Sequence, residues 1–296
     1  MAAYHPGMTV QLTTRGLLLF RMHYVVSDVH GHVEHLVAGL GQAGLVDSGR
    51  RWCGGRARLT FLGDYFDRGP DGIAVVDLIR RLADQAGTVG GRVDALLGNH
   101  EILALGMSRF GDARVMSEVG RRSSFARSWA HNGGQVRDQR RLTEEHVRWL
   151  SGLDAITLAG PNLLLHADTT EYLSWGDSFE QINDAVREVL ASDDLERWWQ
   201  CWARLTTRYA FADVDGAQVA AHLLDRLGGE RIVHGHSFIS TFIGRASSEV
   251  TGPLSYAGGR ALAIDGGIYD GGPCVIVRLD HHPHTTTLTP PPGTTG

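Results

Sequence analysis

The chain repeats one local pattern, a short apolar segment that stops at an Asp, Asn or His residue. Segments of this length and composition are typical of buried β-strands. Apolar residues at helical spacing follow the first two segments, over 33–40 and 71–82, and this strand–turn–helix alternation predicts an α/β fold. The six segments and the polar residues at which they stop are 24–26 with Asp28, 59–62 with Asp64, 93–97 with Asn99, 163–165 with His166, 231–233 with His236, and 261–264 with Asp265.

The residues at these segment ends are of the types that bind divalent cations in proteins. In open α/β sheets, ligands bind at the carboxyl ends of the strands. Taken singly, each motif has an ordinary structural interpretation. The stretch 61–69 is equally compatible with a turn bearing a surface ion pair, and Asn99 could cap a helix. Repetition of the pattern at six segment ends favours a metal site.

Composition narrows the class of protein. A net charge of −5 over 296 residues gives no basic field for wrapping nucleic acid, which lowers the expectation of a nuclease. The three cysteines form no CxxC pair, which argues against a disulfide framework or a thiolate zinc site. The most apolar part of the N-terminus, 17–20, is too short to span a membrane. We therefore predict a cytoplasmic location with no membrane partner.

The chain is predicted to form one main domain. Residues 1–21 have no clear periodicity and are predicted to be a loosely ordered leader, and the Thr- and Pro-rich stretch 281–296 a disordered tail. The domain itself is predicted to cover 22–280. Within it, residues 109–129 are predicted to be helical, and a helical lid is predicted at about 171–228. Amphipathic helices that could form this lid are expected at 178–190 and 195–205, and a packing helix at 218–227. Trp198, Trp199 and Trp202 are expected to pack inside or, alternatively, one of them to stack on a substrate base.

The spacing of the polar residues suggests two neighbouring cations. Asp28 and His30, two residues apart on one turn, can face the same cation as Asp64. Asp64 can also bridge to a second cation because a carboxylate has two oxygens, and Asn99, His166 and His236 would complete the second set of ligands. Paired cations about 3.5–4 Å apart clamp a phosphate and lower the pKa of bound water, which supplies hydroxide at neutral pH.

Other residues of these motifs suit phosphate chemistry. His100 follows Asn99 directly and could protonate the leaving oxygen, with Asp67 holding its ring in one tautomer. Arg68 offers a planar fork suited to phosphate oxygens. A second arginine is expected from the lid, and Arg204 is chosen over Arg208.

Five motifs together resemble those of the calcineurin-like metallophosphoesterases. They are Ser27-Asp28-Val29-His30-Gly31, Gly63-Asp64-Tyr65-Phe66-Asp67-Arg68-Gly69, Gly98-Asn99-His100-Glu101, Leu165-His166-Ala167 and His234-Gly235-His236. More narrowly, the chain resembles the PPP-type serine/threonine phosphatases and their bacterial relatives, which include symmetrical diadenosine tetraphosphate hydrolases. The resemblance implies a two-sheet β-sandwich flanked by helices, a four-layer αββα fold with the metal site at the strand C-terminal ends. It also implies two divalent cations, with manganese first and iron or zinc as alternatives.

By the same resemblance, each motif residue takes a role. The implied metal ligands are Asp28, His30, Asp64, Asn99, His166 and His236. His100 and Asp67 form the implied acid pair, and phosphate would be bound by Arg68, Arg204 and Asn99. Glu101, Asp265 and Asp168 are interpreted as groups that orient the ligands, and His234 is left open between lining the site and bracing His236.

The chain also departs from the family pattern. Ser27 stands where glycine is usual, and its side chain is expected to point away. Phe238 replaces a second histidine of the wider superfamily, in agreement with the PPP branch. Asp168 adds a carboxylate where that branch has glycine, and this could change substrate preference or metal choice. Arg204 is matched only by a short Trp-x-Arg pattern.

These features predict a metal-dependent enzyme that hydrolyses phosphate monoesters with a two-metal-activated hydroxide. A serine/threonine protein phosphatase is the first interpretation, so a phosphorylated protein or a small phosphate ester is the expected partner. A dinucleoside polyphosphate hydrolase is the second, and a phosphodiesterase or nuclease the third. A non-catalytic metal- or phosphate-binding module is the alternative of another class, disfavoured because His100, Asp67 and Arg68 are all present.

Overall fold

The computed structural model describes residues 22–116, 120 and 122–279. The predicted leader, 1–21, and tail, 281–296, lie outside the described residues. The strands are β1 (His23–Val26), β2 (Arg58–Phe61), β3 (Arg92–Ala95), β4 (Val115–Met116), β5 (Arg122–Ser123), β6 (Ile156–Ala159), β7 (Asn162–Leu165), β8 (Arg231–His234), β9 (Leu254–Tyr256), β10 (Ala261–Ala263) and β11 (Ile276–Arg278). The α-helices are α1 (Val33–Gln42), α2 (Gly72–Thr88), α3 (Asn99–Phe110), α4 (Phe125–His131), α5 (Val136–Arg141), α6 (Glu144–Ser151), α7 (Phe179–Ala191), α8 (Leu195–Thr206), α9 (Gly216–Leu227) and α10 (Ile239–Ile243).

The first large sheet has the strand order β11-β1-β2-β3. Strands β1, β2 and β3 are parallel, and β11 lies antiparallel at the edge. Val26 pairs with Phe61, and Phe61 pairs with Ala95, so the three parallel strands end at the same level. The loops that leave the sheet at this edge carry Asp28, Asp64 and Asn99.

The second large sheet has the strand order β6-β7-β8-β10-β9. Its three central strands, β7, β8 and β10, are parallel. Leu165 pairs with His234, and His234 pairs with Ala263. The loops that follow these strands therefore also leave from one edge, and they carry His166, His236 and Asp265.

A thin apolar layer joins the two sheets. Along β1, Val25 belongs to this layer, whereas the next residue, Val26, belongs to the larger core on the outer side. In β7, Leu164 points inward and its neighbours Leu163 and Leu165 point outward. This alternation is what a strand buried on both faces requires. The layer consists of Val25, Leu62, Leu96, Ala159, Leu164, Val233, Leu262, Ile264 and Val277.

Helices cover the outer faces of both sheets. The apolar face of α2, including Val76 and Ile79, is in the same core cluster as Leu59 of β2. On the other side, Asn183 of α7 fastens that helix to the start of β6, since its Oδ1 accepts from Ala155 N at 2.8 Å and from Ile156 N at 3.1 Å. The prediction of an α/β two-sheet sandwich flanked by helices is confirmed. No helix in the described ranges has the length and apolar character needed to cross a membrane.

The helix bounds predicted within 171–228 agree with the structure, and the prediction for one other segment is wrong. The three helices expected within 171–228 are α7, α8 and α9, each within two residues of its predicted bounds; their action as a lid stays a prediction. Residues 109–129 are not one helix. Gly111 ends α3 with φ of 52°, the short strands β4 and β5 pair, and Ser124 starts α4 by accepting from Arg127 N. Turn chemistry therefore overrides the helical composition of this segment.

His23, at the start of β1, should make the fold sensitive to mild acid. Its Nε2 lies 2.8 Å from Thr60 Oγ1. Burial, followed by the charge of Arg58, lowers the pKa of His23 from 6.5 to about 4. The unfolded chain therefore takes up this proton at a higher pH than the folded chain. Its contribution to stability is complete above pH 6.5 and is lost as the pH falls from 6.5 to about 4.

Lowering the pH from about 6.5 to 4.5 should decrease the unfolding free energy of the wild type by about 2 kcal/mol more than that of His23→Gln. Urea unfolding in EDTA at several pH values measures this slope. The exposed His35 provides the matched control, His35→Gln, whose profile should parallel that of the wild type. Parallel profiles for His23→Gln and the wild type would contradict the prediction.

Candidate metal centre

The ligand-type residues predicted from the six strand ends meet in one buried cluster between the two sheets. The cluster contains two groups of residues, and within each group the ligand atoms lie within 4.8 Å of one another. Asp64 belongs to both groups, and the first sheet contributes Asp28, His30 and Asp64 while the second contributes His166 and His236. None of these residues is more than 7% exposed. The groups are Asp28, Asp64, His166 and His236, and His30, Asp64 and His100.

Asp64 presents its two carboxylate oxygens to different sides of the cluster. Its Oδ1 lies 3.4 Å from His166 Nε2. Its Oδ2 lies 3.6 Å from His30 Nε2 and 4.0 Å from His100 Nε2. This arrangement fits a carboxylate that bridges two cations. Asp28 belongs to the group with His166 and His236, and the charge of His30 acts on it as well, so the division of the ligands between two cations stays a prediction.

Three histidines of the cluster are held by backbone carbonyls that fix their tautomers. His30 Nδ1 donates to Phe66 O at 2.8 Å, and His166 Nδ1 donates to Leu62 O at 3.0 Å. His236 uses its other nitrogen, since Nε2 donates to Thr206 O at 3.1 Å. Because a carbonyl can only accept, the opposite nitrogen of each neutral ring carries a lone pair. These lone pairs are available to a metal ion.

The contact between Asn99 and His166 fits a cation. Asn99 Oδ1 lies 2.9 Å from His166 Nε2. Burial lowers the pKa of His166, so the ring is neutral and its Nε2, like the amide oxygen, has no proton to share. Two acceptors at this separation need a positive charge beside them.

Asp265 adds a buried carboxylate oxygen, Oδ2, that has no hydrogen-bond partner among the described residues.

The carboxylates of the cluster are electrostatically unequal. Burial, followed by the charge of Asp28, raises the pKa of Asp64 well above its ordinary value. Burial opposes ionisation of Asp28 as well, but His166, His30 and the Ser27 hydroxyl together hold its pKa below the ordinary value. Two buried carboxylates in contact destabilise each other unless a cation neutralises them. The donor set therefore suits divalent metal ions.

The backbone is strained at the same place. Six residues of the loops around the cluster have left-handed backbone with φ between 44° and 69°, a conformation that costs non-glycine residues about 1–3 kcal/mol each. Such outliers persist where the surrounding structure holds them and are concentrated at functional sites. They are His30, Asp64, Asp67, Arg68, Tyr209 and His236.

His100 and Asp67 form a hydrogen-bonded pair beside the cluster. His100 Nδ1 donates to Asp67 Oδ2 at 2.8 Å, and Trp129 Nε1 donates to Asp67 Oδ1 at 3.0 Å. Burial raises the pKa of Asp67 to about 7, against the opposing effects of Trp129 and Arg68. Burial, then Arg68, lowers the pKa of His100 well below its usual value. Trp129 lies 62 residues from Asp67, and no sequence signal identified it.

Glu101 fastens the Asp64 loop. Its carboxylate accepts from Asp64 N and Tyr65 N, both at 2.7 Å, and from Gly98 N at 2.9 Å. Burial, followed by Asp64, raises its pKa to about 8. A Cβ at position 98 would overlap Asp64 Oδ1 and N, so this close approach requires glycine. The N-cap of α3 is Gly98, not Asn99, which leaves the Asn99 side chain free to face His166.

The sequence analysis left open what Asp168 and His234 contact, and it misplaced the side chain of Ser27. Asp168 is fully buried and accepts from Ser237 Oγ at 2.5 Å and from Tyr209 N at 2.9 Å. It therefore holds the loops on either side of the cluster. Ser27 was expected to point away, but its Oγ donates to Asp28 Oδ2. His234 donates from Nδ1 to Gly235 O at 2.9 Å and accepts from Tyr256 Oη at 2.8 Å, so it braces the turn before His236.

The arginines are arranged differently from the sequence prediction. Arg68 donates to His30 Nε2 at 3.0 Å and to His100 Nε2 at 3.1 Å, and its guanidinium lies 4.1 Å from the centre of the Tyr269 ring. Arg204, by contrast, pairs with Glu171 at 3.8 Å and lies 5.7 Å from the Trp175 ring. No contact among the described residues joins Arg204 to the cluster.

The charge of Arg208, which the sequence analysis ranked below Arg204, acts on the histidines of the cluster. Burial is the largest cause of the lowered pKa values of His100, His166 and His236, and Arg208 makes a smaller contribution in the same direction. Within the described part of the chain its guanidinium has no hydrogen-bond or ion-pair partner. The choice of Arg204 over Arg208 therefore stays a prediction, to be tested with variants of both residues.

The family profile of the calcineurin-like phosphoesterases matches residues 24–239. The chain belongs to the calcineurin-like phosphoesterase family. The predicted resemblance is confirmed at this level, and so is the prediction of a phosphoester hydrolase. Members of this family use divalent metals, in agreement with the ligand set described above.

Individual relatives and solved structures resemble this chain over different lengths. An uncharacterized protein of Schizosaccharomyces pombe is 27% identical over 265 residues, which cover 83% of this chain and 72% of the relative. Shewanella-like protein phosphatase 2 of Arabidopsis thaliana is 34% identical over 95 residues, or 32% of this chain and only 23% of that protein. The cold-active protein-tyrosine phosphatase of a psychrophilic Shewanella species has the same fold, with a TM-score of 0.63 at 22% identity over 86% of this chain and 74% of the other.

Proposed function

We propose that this phosphoesterase hydrolyses phosphate monoesters at a two-metal centre, and that phosphorylated proteins are its substrates. The observation that carries the proposal is the position of Asp64, whose two oxygens face histidines on opposite sides of the cluster. The neighbouring His100–Asp67 pair supplies a proton-transfer group at the same place. A metal site alone would need neither the pair nor the arginines beside it.

The proposed ligands are Asp28, His30, Asp64, Asn99, His166 and His236. Two divalent cations held there, with manganese as the first candidate and iron or zinc as alternatives, would activate water and neutralise phosphate charge. The chain's own residues would do the rest. Arg68 and Arg208 would bind the phosphate oxygens, with Asn99 beside them. His100, whose Nε2 accepts from Arg68 in this structure, would take up a proton at Nε2 from the attacking water and deliver it to the leaving oxygen. Asp67 would hold the His100 ring through Nδ1.

Protein substrates are favoured over dinucleotides by the aromatic residues of α8. A dinucleoside polyphosphate hydrolase needs aromatic walls on which bases stack. Trp198 and Trp199 are 2% and 5% exposed and pack around Phe125, so they offer no such wall. Trp202 is only partly buried and packs against Trp199. The curated phosphatase relative and the solved tyrosine phosphatase both carry names of protein phosphatases, which supports the same choice.

The cellular setting is also a proposal. Cys53, Cys201 and Cys274 are free thiols, which suits a reducing cytoplasm. We further propose that the segment 171–228, with α7, α8 and α9, acts as the lid beside the metal centre, because α8 ends at the cluster.

The proposal is tested by measuring several substrates with protein that has been reconstituted with manganese. We expect kcat/KM for peptides that carry phosphoserine or phosphothreonine to exceed that for diadenosine tetraphosphate and for a bis-aryl phosphodiester by at least about tenfold, which corresponds to about 1.4 kcal/mol. Phosphotyrosine peptides are measured separately, and their kcat/KM decides whether phosphotyrosine or phosphoserine and phosphothreonine are preferred. A clear preference for the dinucleotide would overturn the proposed substrate. Hydrolysis of no substrate would overturn the proposed function.

The two candidate arginines can be separated by a pair of variants. We expect Arg208→Ala to raise the KM of a phosphopeptide and the inhibition constant of inorganic phosphate by roughly 10–100-fold, the range for losing a charged hydrogen bond. Arg204→Ala is the matched control and should change both by less than about twofold, because an exposed ion pair contributes little. The opposite ranking would restore the choice made from the sequence.

A further inference from the structure

Thr206, the last residue of α8, is in contact with two of the proposed ligands at once. A helix leaves its last carbonyls without intrahelical partners, so the Thr206 carbonyl is free to accept from another part of the chain. Its hydroxyl oxygen is in contact with Asn99. No sequence motif singled out this residue.

The Thr206 side chain fixes the orientation of the Asn99 amide. Thr206 Oγ1 donates its single proton to Trp202 O at 2.8 Å. The same oxygen must therefore accept in its second contact, with Asn99 Nδ2 at 3.3 Å. This leaves Asn99 Oδ1 turned toward His166 Nε2, 2.9 Å away. If the amide were rotated by half a turn, nitrogen would replace oxygen at the metal position.

The Thr206 backbone fixes the tautomer of His236. His236 Nε2 lies 3.1 Å from Thr206 O, so Nε2 carries the proton and Nδ1 the lone pair. One residue thus determines which atom each of two ligands presents.

We propose that Thr206 is a positioning residue for the second cation, holding Asn99 and His236 in the orientations in which they bind metal. The inference rests on the proposed two-metal function and goes beyond it by linking the ligands to the end of α8. Thr206 itself does not touch the cation or the substrate. Its effect is carried by the orientation of the two ligands.

The test is manganese binding to EDTA-treated protein, measured by calorimetry. We expect Thr206→Val, which keeps the shape but loses the acceptor for Asn99, to weaken the second binding step by about 10–100-fold and leave the first within about twofold. Thr206→Ser keeps the hydroxyl and should restore affinity to within about threefold. The neighbouring Thr207, whose Oγ1 contacts Thr169 and Arg204 O, gives the matched control Thr207→Val, expected to bind both ions normally.

The outcomes separate this inference from the proposed function. If the wild type binds two ions and Thr206→Val binds both with unchanged affinity, the inference on Thr206 is wrong while the two-metal proposal stands. If the wild type binds fewer than two ions, both fail. Should Thr206→Val not fold, ¹⁵N NMR of the metal-free wild type decides the point. Protonation of His236 at Nε2 is expected, and protonation at Nδ1 would overturn the inference.

Discussion

Asp64→Asn is expected to abolish metal-dependent hydrolysis of an aryl phosphate. The loss of kcat should exceed the ~10²–10³-fold that removal of a single electrostatic donor causes. Asp64 Oδ1 lies 3.4 Å from His166 Nε2 and Oδ2 lies 3.6 Å from His30 Nε2. An amide has one oxygen and no charge, so it cannot serve both sides. Steady-state kinetics with manganese and metal analysis of the desalted protein measure the effect.

The stability of the same variant distinguishes a lost ligand from a lost fold. Burial, followed by Asp28, raises the pKa of Asp64, so the carboxylate destabilises the metal-free protein and asparagine should relieve that cost. We therefore expect Asp64→Asn in EDTA to unfold at a Tm at least as high as that of the wild type. Manganese should raise the Tm of the wild type but not that of the variant.

The control for Asp64→Asn is Asp213→Asn, because Asp213 is exposed and lies outside the cluster. This variant should keep both the activity and the manganese-dependent Tm shift. Full activity of Asp64→Asn, or a normal Tm shift with manganese, would contradict the bridging role.

His100→Asn is expected to keep its metals but lower kcat by about 10²–10⁴-fold, the usual contribution of a general acid. His100 is held by Asp67 at 2.8 Å through Nδ1, and its Nε2 faces Arg68 at 3.1 Å. Asparagine can replace the hydrogen bond to Asp67 but cannot deliver a proton to the leaving oxygen. Calorimetry with manganese and kcat measured on the same preparation separate binding from turnover.

The leaving group provides the decisive comparison for His100. An alkyl phosphate leaves as a strong base and needs the proton, whereas a nitrophenyl phosphate needs it much less. The variant should therefore lose far more activity with the alkyl substrate. Equal losses on both substrates, or a loss of metal, would contradict the role of general acid. His35→Asn, at an exposed position, is the control and should behave as the wild type.

The strand-end ligands were predictable from the sequence because both signals are local. An apolar run identifies a strand, and a polar residue just beyond it lies at the sheet edge whatever the rest of the chain does. The parallel register, in which Val26, Phe61 and Ala95 are aligned, then brings the ligands together. The same locality explains why α8, predicted at 195–205, was found at Leu195–Thr206.

The choice between Arg204 and Arg208 as the second arginine could not be made in this way. Which arginine faces the site depends on how the chain leaves α8, and there Tyr209 adopts φ of 69° while its N–H donates to Asp168. That bond joins residues 41 positions apart. The Trp-x-Arg pattern around Arg204 contains no information about it. Trp129 and Thr206 were missed for the same reason, since their contacts with Asp67 and Asn99 are set by tertiary packing.

The origin of the ligands in two separate sheets has a mechanical consequence. Asp28, Asp64 and Asn99 extend from one sheet and His166 and His236 from the other. Among the described residues, a thin apolar layer that includes nine buried side chains lies between the sheets. Cations bound by both sets would cross-link the halves of the sandwich. Metal depletion would then weaken the packing between the two sheets as well as stop turnover. Amide hydrogen exchange in β7 and β8 should therefore become faster under the same conditions that abolish activity.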